Sequence, residues 1–99
     1  MNLVYFEDAL ADIGEIGDYI AEDDPIQARR FVASLREFIA TIADNPRRFR
    51  LRSEWGTSVR AANFGNYLVV FEHDDANVYV LRVANGRRNI VALLSGVEW

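Results

Sequence analysis

Ninety-nine residues, 51% of them hydrophobic and none a cysteine, are the size of one small domain with a single core, because a chain this short buries only about two-thirds of its unfolded surface. Without cysteine there is neither a disulfide framework nor a thiolate metal site, and with one histidine a transition-metal centre is not expected, so the reading is no metal and no cofactor. The net charge of -4 hides a segregation: residues 1 to 24 hold eight acids and no base, residues 25 to 60 hold eight arginines against three acids, and all eleven cations are arginine, the side chain suited to bidentate pairing with carboxylate or phosphate.

In chain order, Met1 to Asp8 reaches two acids after four consecutive apolar residues and has no basic region, so no signal peptide is expected. No apolar run approaches the roughly 20 residues of a membrane span. The expected compartment is the cytoplasm, with no membrane partner. Leu3 to Phe6 is a candidate strand, short enough to need a later strand as partner. From Glu7 the period changes: Leu10, Ile13, Ile16, Gly17 and Ile20 recur at helical spacing, with Asp8, Asp12, Glu15 and Asp18 largely opposite, which predicts an amphipathic helix over 7–22. Acids in its first turn suit the helix dipole.

Asp23-Asp24-Pro25 stops this helix and starts another, since aspartate is a good N-cap and proline at the first helical position gives up no hydrogen bond. The second helix should run from Pro25 to Ala43, burying Ile26, Phe31, Val32, Leu35, Phe38, Ile39 and Ile42, with Arg29, Arg30, Arg36 and Glu37 off that stripe. Asp44-Asn45-Pro46 ends it, and so short a link makes the pair an antiparallel hairpin. Residues 47 to 57 form a loop with four arginines interleaved with Phe49, Leu51 and Trp55. Strand candidates follow at Ser58 to Phe64, Tyr67 to Glu72 and Asn77 to Val83, separated by turns, and read as an antiparallel meander. Ile90 to Leu94 is apolar but too short for periodicity to tell strand from helix.

These elements assemble into a single two-layer α+β domain over 1–99, with an N-terminal strand and an antiparallel helical hairpin packed on one face of a twisted antiparallel sheet. In the last strand Val78, Val80 and Arg82 should share one face and Tyr79, Leu81 and Val83 the other. A strand apolar on both sides belongs at the centre of a sheet, and Arg82 would then sit where the helices do not. A guanidinium in such a strand needs a partner. It either emerges into a groove on the open face or pairs with an internal carboxylate such as Glu72 or Glu54.

Arg60, on an earlier strand, converges with Arg82 if the strand order places them side by side, or is a solvated strand charge. Asn85-Gly86-Arg87-Arg88 sets two more arginines at a turn after the Arg82 strand. Arg47, Arg48, Arg50 and Arg52 with Phe49 and Trp55 have the mixture that contacts phosphates and bases, or they are a loop whose aromatics close the core. His73 lies in a turn beside Asp74 and Asp75, a weak position for acid/base catalysis. No phosphate-binding glycine loop, nucleophile elbow or metalloprotease motif is present.

The chain resembles the ParE branch of the RelE/ParE toxin superfamily, the toxin half of bacterial type II toxin–antitoxin modules. The matching stretches are Ala9-Leu-Ala-Asp-Ile13 with Asp18-Tyr-Ile20, Asp24-Pro25 leading to Ala28-Arg29-Arg30-Phe31-Val32, Asn45-Pro46-Arg47, Val59-Arg60, Tyr67 to Phe71, and Val80-Leu-Arg82-Val with Gly86-Arg-Arg88. The resemblance implies the same β-α-α-β-β-β fold and a cognate antitoxin held in a heteromeric complex. It implies inhibition of DNA gyrase as the activity, with ribosome-dependent cleavage of messenger RNA, as in RelE-like relatives, as the alternative, and a degenerate member that only binds antitoxin as a second one. RNA cleavage needs a group to activate the 2′-hydroxyl and another to protonate the leaving group. Arg60, Arg82 and Arg88 would surround the phosphate, but there is no lysine, and arginines stand where an acid/base residue is wanted. Gyrase inhibition needs only a surface, for which Arg60, Arg82, Arg87 and Arg88 are the candidates. Arg47, Arg50, Trp55 and Phe71 are the candidates for antitoxin contact, and direct nucleic-acid binding is not expected.

Overall fold

The change of hydropathy period at Glu7 marks the first boundary of the structure, a computed structural model that describes residues 1–95. β1 (Asn2–Tyr5) gives way there to α1 (Glu7–Ala21), and α2 (Pro25–Ile42) follows after a break of three residues. Asp24 caps α2 as its sequence requires, its carboxylate accepting from the Gln27 N–H at 3.0 Å with Pro25 in the first turn. A short 3-10 turn at Pro46–Arg48 leads into the arginine loop. β2 (Arg60–Phe64), β3 (Tyr67–His73) and β4 (Asn77–Asn85) form the meander. Ile90–Leu94 is a helical turn, α3, with Asn89 accepting from the Ala92 N–H at 3.2 Å.

The sheet order is β1-β4-β3-β2. The meander is antiparallel as expected, but β1 joins at the edge and pairs with β4 in parallel, from Asn2 opposite Asn77 to Tyr5 opposite Val80, so the sheet is mixed. A tight turn forces antiparallel pairing, and no tight turn joins β1 to β4; a helical hairpin and two strands intervene. On one face the hairpin contributes Ala9, Ile13, Leu35, Ile39 and Ile42 against Val69, Phe71, Val78, Val80 and Val83. The other face is covered in part too: Val59, Leu68, Val70, Leu81 and Ala84 pack with Ile90 and Leu94 of α3. Val70 and Leu81 are wholly buried there, where a fully buried side chain of this kind contributes about 2 kcal/mol.

Three expectations about faces are corrected. Leu10 and Ile26 are exposed, so the buried stripes of both helices are narrower than their apolar content. Asp12, placed opposite the stripe, is 6% exposed. In β4 a bulge intervenes: Phe71 faces Val80 but Val70 faces Arg82, which leaves Leu81 as an extra residue. A bulge reverses the alternation beyond it, so Val83 joins Val78 and Val80 in the helix-side core instead of sharing a face with Tyr79 and Leu81.

The β3–β4 turn is held by Asp74, whose carboxylate accepts from the Ala76 and Asn77 N–H groups at 2.8 and 2.7 Å and from the Tyr79 hydroxyl at 2.7 Å. The Tyr79 hydroxyl, then the two amides, hold this carboxyl below the usual aspartate range. Among the described residues no helix is long and apolar enough to cross a membrane.

Candidate functional site

β1 stops beside the middle of β4. Its last backbone bond runs from the Phe6 N–H to the Val80 carbonyl at 3.0 Å, and the chain then turns into α1. Beyond that point the β4 edge would leave buried donors without acceptors. Asp12 fills the gap: one turn into α1, its Oδ2 accepts from the Val83 N–H at 2.9 Å. The same carboxylate takes Arg82 in a bidentate grip, Nε to Oδ2 at 2.7 Å and Nη2 to Oδ1 at 2.8 Å. Arg82 Nη1 donates to the Leu93 carbonyl of α3 at 3.3 Å, so one guanidinium ties α1, β4 and α3 together.

The pair is largely removed from water, with side-chain exposures of 16% for Arg82 and 7% for Asp12. The Asp12 hydrogen bonds raise the proton affinity of the guanidinium further, against the opposing effect of burial. Arg82 thus has an internal partner on the helical layer, neither Glu72 nor Glu54. Glu72 accepts from Ser58 Oγ at 3.1 Å and Glu54 pairs with Arg52 at 2.9 Å. Sequence reasoning missed Asp12, although Ala9, Asp12, Ile13 and Ile16 follow the i, i+3, i+4, i+7 spacing of one helix face. An acid inside such a set signals a buried partner.

Arg60 does not converge with Arg82. β3 separates their strands, a lateral distance of about 10 Å, and Arg60 Nη1 donates to the Phe49 carbonyl at 2.6 Å, pinning the arginine loop. Arg87 and Arg88 are exposed on the turn after β4, where the Asn85 side chain accepts from the Arg87 N–H at 3.0 Å. Arg88 borders a small cavity of about 180 Å³ with Asp12, Glu15, Tyr19 and Tyr67.

In the loop, Arg48 donates to Thr41 Oγ1 at 3.1 Å and lies over the Phe49 ring at 4.6 Å, and Arg52 lies over the Trp55 ring at 3.9 Å. Arg47 and Arg50 are exposed and Trp55 half-buried. Phe71 cannot be a contact for a partner: it is wholly buried, with Phe49 packed edge-on at 5.9 Å. His73 closes the end of β3, with Nδ1 3.1 Å from the Asp74 carbonyl oxygen.

Comparison with protein families matches residues 3–90 to a family described as the ParE toxin of the type II toxin–antitoxin system, parDE. Among solved structures, one described as a chromosomal ParDE TA system from P. aeruginosa is similar with a TM-score of 0.74 and 20% identity, over 86% of this chain and 95% of that chain. At that identity the likeness is one of fold. Comparison with curated proteins gives no match.

Proposed function

The chain belongs to the ParE toxin family of type II toxin–antitoxin systems, and on that premise we propose that it inhibits DNA gyrase by binding it and is neutralised in the cytoplasm by a cognate antitoxin. The observation that carries the choice of binding over catalysis is the Asp12–Arg82 pair. A ribonuclease reading requires Arg60, Arg82 and Arg88 around one scissile phosphate. Arg82 has Nε and Nη2 on the Asp12 carboxylate and Nη1 on the Leu93 carbonyl, and Arg60 is turned to Phe49. With the Arg82 charge already matched by Asp12 and Arg60 two strands away, the described residues do not set these arginines around one phosphate, which supports binding over cleavage.

On this reading Arg87 and Arg88 are the target contacts, exposed cations that act by complementarity. Arg82 is the positioning residue that fixes the end of β4 from which they project. Arg47, Arg50 and the outer edge of Trp55 take the antitoxin. The test is a gyrase supercoiling assay beside a ribosome-bound message cleavage assay. We expect inhibition of supercoiling without message cleavage, and loss of inhibition by more than tenfold in Arg87→Glu/Arg88→Glu at an unchanged unfolding temperature. Message cleavage with supercoiling intact refutes the proposal.

A further inference from the structure

β1 leaves the sheet short of the end of β4, and a cavity of about 180 Å³ lies between α1 and the last residues of that strand. Ile16, Val83 and Ala84 give it apolar walls, and Tyr19 and Tyr67 flank it. Tyr19 is 71% exposed, a large ring held in water, and Tyr67 is half-buried, edge-on to Phe31 at 5.6 Å. Glu15 and Arg88 border the cavity from exposed positions. Neither is in an ion pair, since among the described residues the ion pairs are Arg52–Glu54 and Arg82–Asp12.

The backbone supplies the remaining polar groups. In an antiparallel ladder successive residues turn their N–H and C=O alternately toward and away from the partner strand. The Val83 N–H is turned from β3 to Asp12 at 2.9 Å, and the Gly86 N–H is turned to the Asn66 carbonyl beside β3 at 3.0 Å. Val83 and Asn85 therefore face the open edge. Asp12 has taken the Val83 N–H, and the Arg88 N–H has taken the Asn85 carbonyl at 3.0 Å. What is left facing the cavity is the Val83 carbonyl followed by the Asn85 N–H, an acceptor and then a donor.

We propose that this cavity binds a free nucleoside 5′-monophosphate whose base carries an amino group beside an unprotonated ring nitrogen, the edge that adenine and cytosine share. The amino group donates to the Val83 carbonyl, the ring nitrogen accepts from the Asn85 N–H, and the base lies against the Tyr19 and Tyr67 rings. On both bases the sugar is attached on the ring-nitrogen side of that edge, so this order sets it toward Arg88. Glu15 then accepts from the sugar hydroxyls and Arg88 meets the phosphate. Guanine and uracil carry the donor and acceptor in the reverse order, so pairing them with the same two backbone groups turns the sugar away from Arg88. A peptide strand is a poorer occupant, because Asp12 and the Arg88 N–H close the edge on either side and leave it one residue's worth of pairing. The assignment does not depend on the gyrase reading.

The test is calorimetric titration of the full chain with the four ribonucleoside 5′-monophosphates at low salt, where a single phosphate contact is little screened. Adenosine and cytidine 5′-monophosphates should bind at least about tenfold tighter than the guanosine and uridine forms, the scale of one unmatched donor or acceptor. The tighter of the two names the base. Methylating the adenine amino group twice removes its donors and should cost as much. Tyr19→Ala, at an exposed ring, should weaken adenosine 5′-monophosphate at least about fivefold with an unchanged unfolding temperature. Arg88→Ala should lower its affinity to that of adenosine and leave adenosine binding unchanged, which separates the phosphate contact from the base contact. Equal affinity for all four nucleotides would show an anion held by arginine alone and overturns the proposal. Absence of binding by adenosine and cytidine 5′-monophosphates at millimolar concentration overturns it as well. Gyrase inhibition is read in a separate assay, so either reading can fail while the other stands.

Discussion

At the end of β4 and in the loop between α2 and β2 the chain places arginines beside acids and aromatics, and the outcomes differ because the carboxylate partner is buried in one pair and exposed in the other. Arg82 is fixed by two bonds to Asp12 and one to α3 in a setting that is mostly dry. Arg52 also has a carboxylate, Glu54 at 2.9 Å, and a ring beneath it, yet Glu54 is half exposed. An exposed pair competes with hydration and salt at every moment, whereas a dry one cannot be broken without stranding a charge. Arg47 and Arg50 of the loop stay in water, and Arg82 becomes part of the fold.

Arg82→Ala should show the largest effect, a loss of about 3 kcal/mol, because Asp12 is left buried with the Val83 amide as its remaining donor. In thermal unfolding that is a fall of more than about 10 °C for a domain of this size. A fall no greater than that of Arg52→Ala breaks the comparison. Replacing both partners, Asp12→Leu with Arg82→Met, should recover most of the loss and leave about 1 kcal/mol, the cost of a Val83 N–H without its acceptor. Full recovery would show that the backbone bond is dispensable.

Arg52→Ala should cost under about 1 kcal/mol, the scale of an exposed cation–π contact, and less again at high salt. The smallest effect concerns a carboxylate in open water. Asp74 is held below its ordinary pKa by the Tyr79 hydroxyl and two amides. A depressed carboxyl stabilises the fold above the unfolded value of about 3.9 and loses that contribution as pH falls through its lower folded value. The protection of the Ala76 and Asn77 amides, read as exchange relative to the unstructured chain at each pH, should therefore fall in that acid range, and Asp74→Asn should flatten the dependence. An unchanged dependence in that variant would assign the acid response to another group.

The helices and the meander were legible because their signals are local. Period 3.6 marks α1 and α2, Asp24-Pro25 marks the boundary between them, and β2 to β4 are apolar runs divided by Gly65-Asn66 and Asp74-Asp75. The candidate site was legible only in outline. Arg82 stands out in the sequence because it interrupts an apolar strand, but Asp12 lies seventy positions away and looks like one acid among eight. Phe71 was misread for the complementary reason: an aromatic in a strand carries the same letter whether it faces the core or a partner.

By itself the sequence determined which of the longer segments are helix and strand, since these follow from the spacing of side chains along a single element, but not the state of Ile90 to Leu94. It also determined that the arginine in the last strand needs either an opening to a groove or an internal carboxylate, since a bare guanidinium is too costly to bury. The tertiary structure decided which anion, because the parallel edge placement of β1 ends short of Val83 and brings Asp12 to the open edge of β4. It decided too that Val83 rather than Arg82 faces the hairpin, because the bulge at Leu81 shifts the register by one. Pairing partners and bulges are set by contacts between elements, and spacing within an element carries no record of them.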